Sequence, residues 1–185
     1  MIEPIGFPGS DVFMARNIFT KKEIDLFLDV FLTTQNPSSS AEELSGQFKN
    51  IQINAENIDI AQRMIALLEN ALRTAYGDTF KPILLPDTRT SIKIQETGQM
   101  HPIHSDSAKT THSGGVYGEM LAYSGILSLS DDYDGGEINF PGDGVFTKLD
   151  AGSALFFPSQ KHIHQVERVL SGTRYTFLTF WEHCE

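Results

Sequence analysis

The stretch Met100-His101-Pro102-Ile103-His104-Ser105-Asp106 carries an imidazole and a carboxylate two residues apart, at His104 and Asp106. On an extended strand, side chains i and i+2 stand on the same face, so these two groups are expected side by side. Much later comes a second histidine-bearing strand candidate, Lys161-His162-Ile163-His164-Gln165-Val166. Arg174 follows His164 by ten residues, within Gly172-Thr173-Arg174-Tyr175.

Outward from these segments the chain reads as short strands cut by turns. Upstream, the runs Ile83 to Leu85 and Arg89 to Gln95 are broken by Pro82, Pro86 and Gly98, and Ser91-Ile92-Lys93-Ile94-Gln95 alternates as a half-buried strand does. Downstream, residues 107–118 are small and polar and are expected to form a lid or substrate loop. Leu121 to Ser130 reads as a buried strand. An acidic turn over 131–136, a strand over 137–140, a turn over 141–144, and strands over 145–149 and 154–157 follow, and Thr173 to Trp181 closes the chain. The spaced ligands of a calcium loop are missing from the acidic turn, which reads as solvated.

The N-terminal part is different. After a loop, a short strand is expected near 11–16. Thr20-Lys21-Lys22-Glu23 has the pattern of a helix-opening capping box. Ile24, Phe27, Leu28 and Phe31 recur at helical spacing, which predicts an amphipathic helix over 21–33. Residues 34–47 read as a polar loop and Phe48 to Ile53 as a short strand. Asn57 is placed to cap a second helix over about 58–76, and Gly77 suits a left-handed residue past its end. Two helices followed by about eight short strands predict a mainly β protein with N-terminal helices, its sheet closed or doubled as in a jelly roll.

With 185 residues one domain is expected over 1–185, with helical support over about 20–77 and a β core over about 80–181. A net charge of -10 disfavours nucleic-acid backbones as partners. The single cysteine, Cys184, cannot form an internal disulfide, no secretory signal opens the chain, and no apolar run approaches a membrane span. A soluble, cytoplasmic protein with no membrane partner is the expectation; nothing in the sequence encodes an oligomeric state.

Two histidines and one carboxylate on one side of a metal leave positions open, the arrangement non-haem Fe(II) oxygenases use. His-x-Asp alone is a weak signal. The later His-x-Val, the arginine beyond a Ser-Gly turn, and Gly135-Gly136-Glu137 ahead of an apolar strand strengthen it. His162 shares the expected strand face with His164 and competes for the ligand role; the spacing to Arg174 and the following Val166 favour His164. His101 and His112 read as loop histidines, His183 as surface, and Trp181 as core.

As a set, three regions resemble the prolyl-4-hydroxylase-like branch of the 2-oxoglutarate/Fe(II)-dependent dioxygenases. They are Gly98 to Asp106, Tyr133-Asp134-Gly135-Gly136-Glu137-Ile138-Asn139-Phe140-Pro141, and Leu155-Phe156-Phe157-Pro158-Ser159 leading through His164 to Val169 and on to Arg174. The resemblance is strongest over 90–181 and looser over 12–33. It implies a double-stranded β-helix of the jelly-roll, cupin-like type, with Fe(II) held by His104, Asp106 and His164. It also implies Arg174 pairing the distal carboxylate of 2-oxoglutarate, O2 as oxidant, and ascorbate as a candidate reductant. The implied reaction hydroxylates a C–H bond, on a prolyl or other amino-acid side chain of a peptide or small amino-acid-like substrate, with release of succinate and CO2. Three protein ligands leave three octahedral positions, two for the keto acid and one for dioxygen, and an arginine fork suits a carboxylate.

Two positions depart from the family. The tyrosine often found nine residues before the first histidine is Gln95, and the proline after the distal His-x-Val-x is Arg168. Gln95 and Lys93, on one strand face, are the candidates to donate to the keto acid in its place. Thr176 shares a face with Arg174, Leu178 and Phe180 and is expected in the same pocket. The competing readings are a non-catalytic binding module on the same β scaffold and a nucleic-acid demethylase.

Overall fold

Thr20 opens the first helix, α1 (Lys21–Thr33), as its pattern predicts. The Thr20 hydroxyl accepts from the Glu23 N–H at 3.3 Å, and the Glu23 carboxylate accepts from the Thr20 N–H at 2.9 Å. The structure, a computed structural model, describes residues 1–34, 48–82, 90–106 and 121–183. Of the expected loop over 34–47 all but Thr34, and also the loop over 107–118, the run Ile83 to Leu85, His112 and Cys184, lie outside the described residues.

The second helix, α2 (Ile58–Tyr76), has the expected bounds but not the expected caps. Asn57 makes no side-chain capping bond. Its Oδ1 accepts from the Asn54 N–H at 2.9 Å and its Nδ2 donates to the Gln52 carbonyl at 3.3 Å, so it braces the entering loop instead. Gly77 has the positive φ of 73° but an extended ψ of -161°, not the left-handed helical pair.

The strands are β1 (Ile2–Ile5), β2 (Val12–Ala15), β3 (Lys49–Gln52), β4 (Phe80–Pro82), β5 (Ser91–Glu96), β6 (His101–His104) and β7 (Leu121–Ser128). They continue with β8 (Asp134–Gly135), β9 (Ile138–Phe140), β10 (Val145–Thr147), β11 (Ala154–Pro158), β12 (His164–Val166), β13 (Val169–Ser171) and β14 (Thr173–His183). All the pairings are antiparallel. The large sheet runs β1-β2-β11-β7-β14-β5-β3, with β4 also on β14; a four-stranded sheet runs β10-β9-β12-β6; β13 and β8 form a small ribbon. Residues 2–5, read from sequence as loop, are a strand. Pro4 is tolerated there because β1 is the end strand of its sheet and needs no further donor. Part of the expected acidic turn, Asp134-Gly135, pairs with β13.

Alternation along the large sheet sorts side chains into two cores. On one face Ile92, Ile94, Leu127, Phe156, Phe177 and Trp181 pack on the apolar stripes of α1 and α2. On the other, Met14, Ile126, Leu155 and Phe157 meet Ile138, Phe140 and Val145 of the four-stranded sheet. Both faces are therefore covered, which is why Ala154-Leu155-Phe156-Phe157 shows no polar alternation. Polar side chains that face inward between the two sheets stand where a cleft opens, and they include Lys93, Gln95, Arg174 and Thr176.

Candidate active site

β6 and β12 run side by side with His104 directly opposite His164, which brings the two rings to 4.3 Å between centroids. β6 ends at His104, so Asp106 lies in a turn just beyond it rather than on the strand. The side-by-side placement expected from extended spacing is reached by that turn. Asp106 Oδ1 lies 3.4 Å from His104 Nε2 and 3.9 Å from His164 Nε2. One possible ligand atom from each of the three residues falls within 4.8 Å of the others.

The backbone orients the rings. His104 Nδ1 lies 2.8 Å from the Pro102 carbonyl, so it carries the proton and Nε2 presents its lone pair to the cluster. His164 Nδ1 faces the His162 carbonyl at 3.4 Å, a longer contact of the same sense. Desolvation pushes His164 down to about 4. Burial would raise Asp106, but the neighbouring His104, His164 and Ser124 side chains hold it well below the usual carboxylate range. At neutral pH His164 is an uncharged imidazole and Asp106 an anion, the forms that bind metals.

His162 is placed elsewhere. It precedes β12 and does not share a strand face with His164. Its Nδ1 lies 2.7 Å from Asp143 Oδ2 and its Nε2 lies 2.5 Å from Asp11 Oδ1, so both ring nitrogens are engaged by carboxylates. It joins the N-terminal segment to the turn between β9 and β10, and His164 is the histidine brought to His104 and Asp106. His101 is not a loop histidine: it begins β6, its ring sits 4.0 Å from that of His104, and it lines the cleft. Burial, then the nearby Lys93 and His104, push it down to about 2.

Arg174 lies on the floor of the same cleft, paired in register with Gln95, while Thr176 pairs with Lys93. Arg174 is 3% exposed and Gln95 1%. Gln95 Oε1 accepts from Arg174 Nη1 at 2.6 Å, with Thr176 Oγ1 at 3.4 Å from the same nitrogen. Gly136 makes room for this arginine: with φ of +67°, a Cβ there would meet Arg174 Cδ and the Tyr133 ring at 3.0 Å each. The second glycine of the Gly-Gly pair thus serves the packing of the arginine stem, while the first sits against the Arg168 carbonyl and Leu170 of β13.

Ser124 was not singled out by sequence. It lies on β7, lines the cleft, helps to lower Asp106, and exchanges a 2.8 Å hydrogen bond with the buried Ser159. The sequence signal was weak, a serine in a mostly apolar strand that also ends on Ser128.

The donor set fits the groups that the resemblance implies. Two imidazoles and a carboxylate suit Fe(II) among the metals such ligands hold. Arg174 Nε and Gln95 Nε2 are buried donors with no hydrogen-bond partner. Buried donors are rarely left so, and both residues line the cleft, where an acceptor such as a carboxylate is what they lack.

No family model matches the chain. Part of it is similar to curated proteins. A PKHD-type hydroxylase of Acaryochloris marina is 41% identical over 81 residues, covering 43% of this chain and 35% of that protein. A PKHD-type hydroxylase of Synechococcus sp. (strain JA-3-3Ab) is 29% identical over 92 residues, covering 48% of this chain and 40% of that protein. The matches thus span 35% to 40% of the length of these relatives. Among solved structures, the viral collagen prolyl hydroxylase of Paramecium Bursaria Chlorella virus-1, in its 2OG complex, superposes with a TM-score of 0.67 at 14% identity, over 96% of this chain and 98% of that one. An oxidoreductase of the 2OG-Fe(II) oxygenase family from Burkholderia pseudomallei gives 0.70 at 15% identity, over 93% and 84%. A Pseudomonas putida prolyl-4-hydroxylase gives 0.64 at 14%, over 96% and 95%. The fold is therefore the mainly β jelly roll of these oxygenases, as the strand pattern predicts.

Proposed function

We propose that the protein is an Fe(II)- and 2-oxoglutarate-dependent dioxygenase that hydroxylates a prolyl or other amino-acid side chain of a peptide or amino-acid-like substrate. The observation that carries this reading is one cleft holding both His104, Asp106 and His164 and the buried Arg174–Gln95 pair with its two unfilled donors. When bound, Fe(II) and the keto acid supply dioxygen activation: one oxygen atom ends in succinate, the other in the hydroxyl of the product, and CO2 leaves.

The chain's own groups do the rest. His104, Asp106 and His164 hold the metal and leave half of an octahedron free. His104 keeps the right tautomer through Nδ1 and the Pro102 carbonyl. Arg174 receives the distal carboxylate of the keto acid, and Gln95, Thr176 and Lys93 complete that end of the cleft. Gln95 stands where the family often has tyrosine, and its free Nε2 offers the donor that a phenol would. Ile126, Leu178 and Phe180 continue the large-sheet wall beyond Arg174 and Thr176 and give that part of the cleft an apolar surface. A cytoplasmic setting suits an iron enzyme with ascorbate as reductant. No described helix is long and apolar enough to cross a membrane.

The test is succinate release from 2-oxoglutarate in air with Fe(II), ascorbate and a panel of proline-containing peptides. The native protein is expected to release succinate, faster with an accepted peptide, and His104→Ala to release none. Release unchanged by His104→Ala would refute the assignment.

A further inference from the structure

Strand β12 begins only at His164, so no ladder pair among the described strands holds residue 162. Yet the His162 carbonyl is the group that faces His164 Nδ1, at 3.4 Å. The place of that carbonyl decides which nitrogen of His164 keeps its proton and how the ring is turned. His104 draws the same service from Pro102, which lies within strand β6. For His164 the carbonyl must be fixed by other means, and the His162 side chain supplies them.

His162 is buried and gripped at both ring nitrogens, Nδ1 by Asp143 Oδ2 at 2.7 Å and Nε2 by Asp11 Oδ1 at 2.5 Å. Turning the ring over would set carbon against both carboxylates, so one orientation is kept. The carboxylates are held in turn. Asp143 sits in the turn between β9 and β10, where its N–H donates to the Phe140 carbonyl at 3.0 Å and its carbonyl accepts from the Phe7 N–H at 2.7 Å. Asp11 precedes β2; its second oxygen takes Lys161 Nζ at 2.9 Å, and its carbonyl accepts from the hydroxyl of Tyr76, the last residue of α2, at 2.5 Å. The apolar side of the arrangement is shared by the two histidines. Phe140 stacks on His164 at 5.2 Å and Phe157 meets it edge-on at 4.8 Å, and the same two rings meet His162 edge-on at 6.2 and 6.4 Å.

We propose that Asp11, His162 and Asp143 form a clamp that positions His164, so that the segment before β2, 151 residues ahead of His162 in the chain, helps to set the affinity of the metal site. The three are positioning residues: they act through the His162 carbonyl and the shared phenyl rings. This rests on the reading of His104, Asp106 and His164 as metal ligands.

The experiment is titration of the full chain, stripped of metal, with Co(II), read by the visible ligand-field band and by competition with a chromogenic chelator. One saturable site is expected in the native chain. Asp11→Ala and Asp143→Ala, which each free one ring nitrogen of His162, are expected to weaken Co(II) binding about tenfold or more and to shift the band. Asp11→Asn, whose amide oxygen still accepts from Nε2, is expected to keep most of the affinity. Urea denaturation of the metal-free proteins separates positioning from loss of fold. A clamp that served the fold alone would lower the midpoint of the alanine variants and leave the affinity and band of the folded protein native, and that result would overturn the proposal. Failure of both alanine variants to fold would overturn it as well. Co(II) binding lost in His104→Ala but untouched by the clamp variants would overturn the clamp and leave the dioxygenase reading intact. A native chain without a Co(II) site would overturn both.

Discussion

Asp106, proposed as a metal ligand, shows how such a carboxylate is held in place by its neighbours. The Ser124 side chain beside its carboxylate helps to keep it ionised, the Ser124 hydroxyl lies 2.8 Å from that of Ser159, and both serines are buried. Ser105 next to it donates to the Ser159 carbonyl at 3.3 Å. The turn that carries Asp106 is thus tied to β7 and to the residue after β11. Partners of metal ligands typically contribute 10–100-fold in affinity. Ser124→Ala is accordingly expected to weaken Fe(II) binding by about that factor with the fold retained, as read by competition with a chromogenic chelator. Unchanged affinity would mean that the turn alone positions the carboxylate. At this scale the convergence of His104, Asp106, His164 and Arg174 on one cleft was legible, from their spacing and from the family resemblance. Ser124 and His101 were not: a buried hydroxyl and a wall histidine take their roles from strands distant in the chain.

The same contrast holds among the elements. Helix α1 was legible to the residue because its start is a local device, the reciprocal bonds of Thr20 and Glu23. Strand β1 was not, because Ile2-Glu3-Pro4-Ile5 is too short to show a period and contains a proline. Pairing with β2 makes it a strand. Central strand β7 carries a constraint of its own at Gly125, opposite Thr179 on β14 and Phe156 on β11. A Cβ there would stand 2.7 Å from Trp181 Cζ3 and 3.2 Å from Thr179 Cγ2. Trp181 is fully buried and cannot withdraw without disturbing the helix-facing core. Gly125→Ala is expected to destabilise the protein by about 1–3 kcal/mol, the usual cost of overpacking, measured by urea denaturation. A midpoint equal to that of the native chain would show that the ring has room to shift.

In the whole molecule the large sheet separates two tasks. Its helix-facing side buries Phe27, Phe31, Leu68 and Phe177 and carries the bulk of the apolar packing, while its other side is free to hold charge beneath the four-stranded sheet. The class of this architecture was legible, since short apolar runs between Gly and Pro turns after two helices admit few other solutions. The strand order was not, because antiparallel partners such as β5 and β14 lie far apart in sequence and local periodicity carries no record of them. Nor was the charge pattern within the cleft: a net charge of -10 gives no sign that Lys93 and Arg174 line one cleft. The central claim is that this cleft assembles Fe(II) and 2-oxoglutarate together. Its most direct test is an anaerobic titration of the protein with Fe(II) and 2-oxoglutarate, followed by the weak visible charge-transfer band of a keto acid chelating iron. A saturable band is predicted for the native chain, weaker in Arg174→Ala and gone in His104→Ala. No band in well-folded native protein, or a band untouched by His104→Ala, would contradict it.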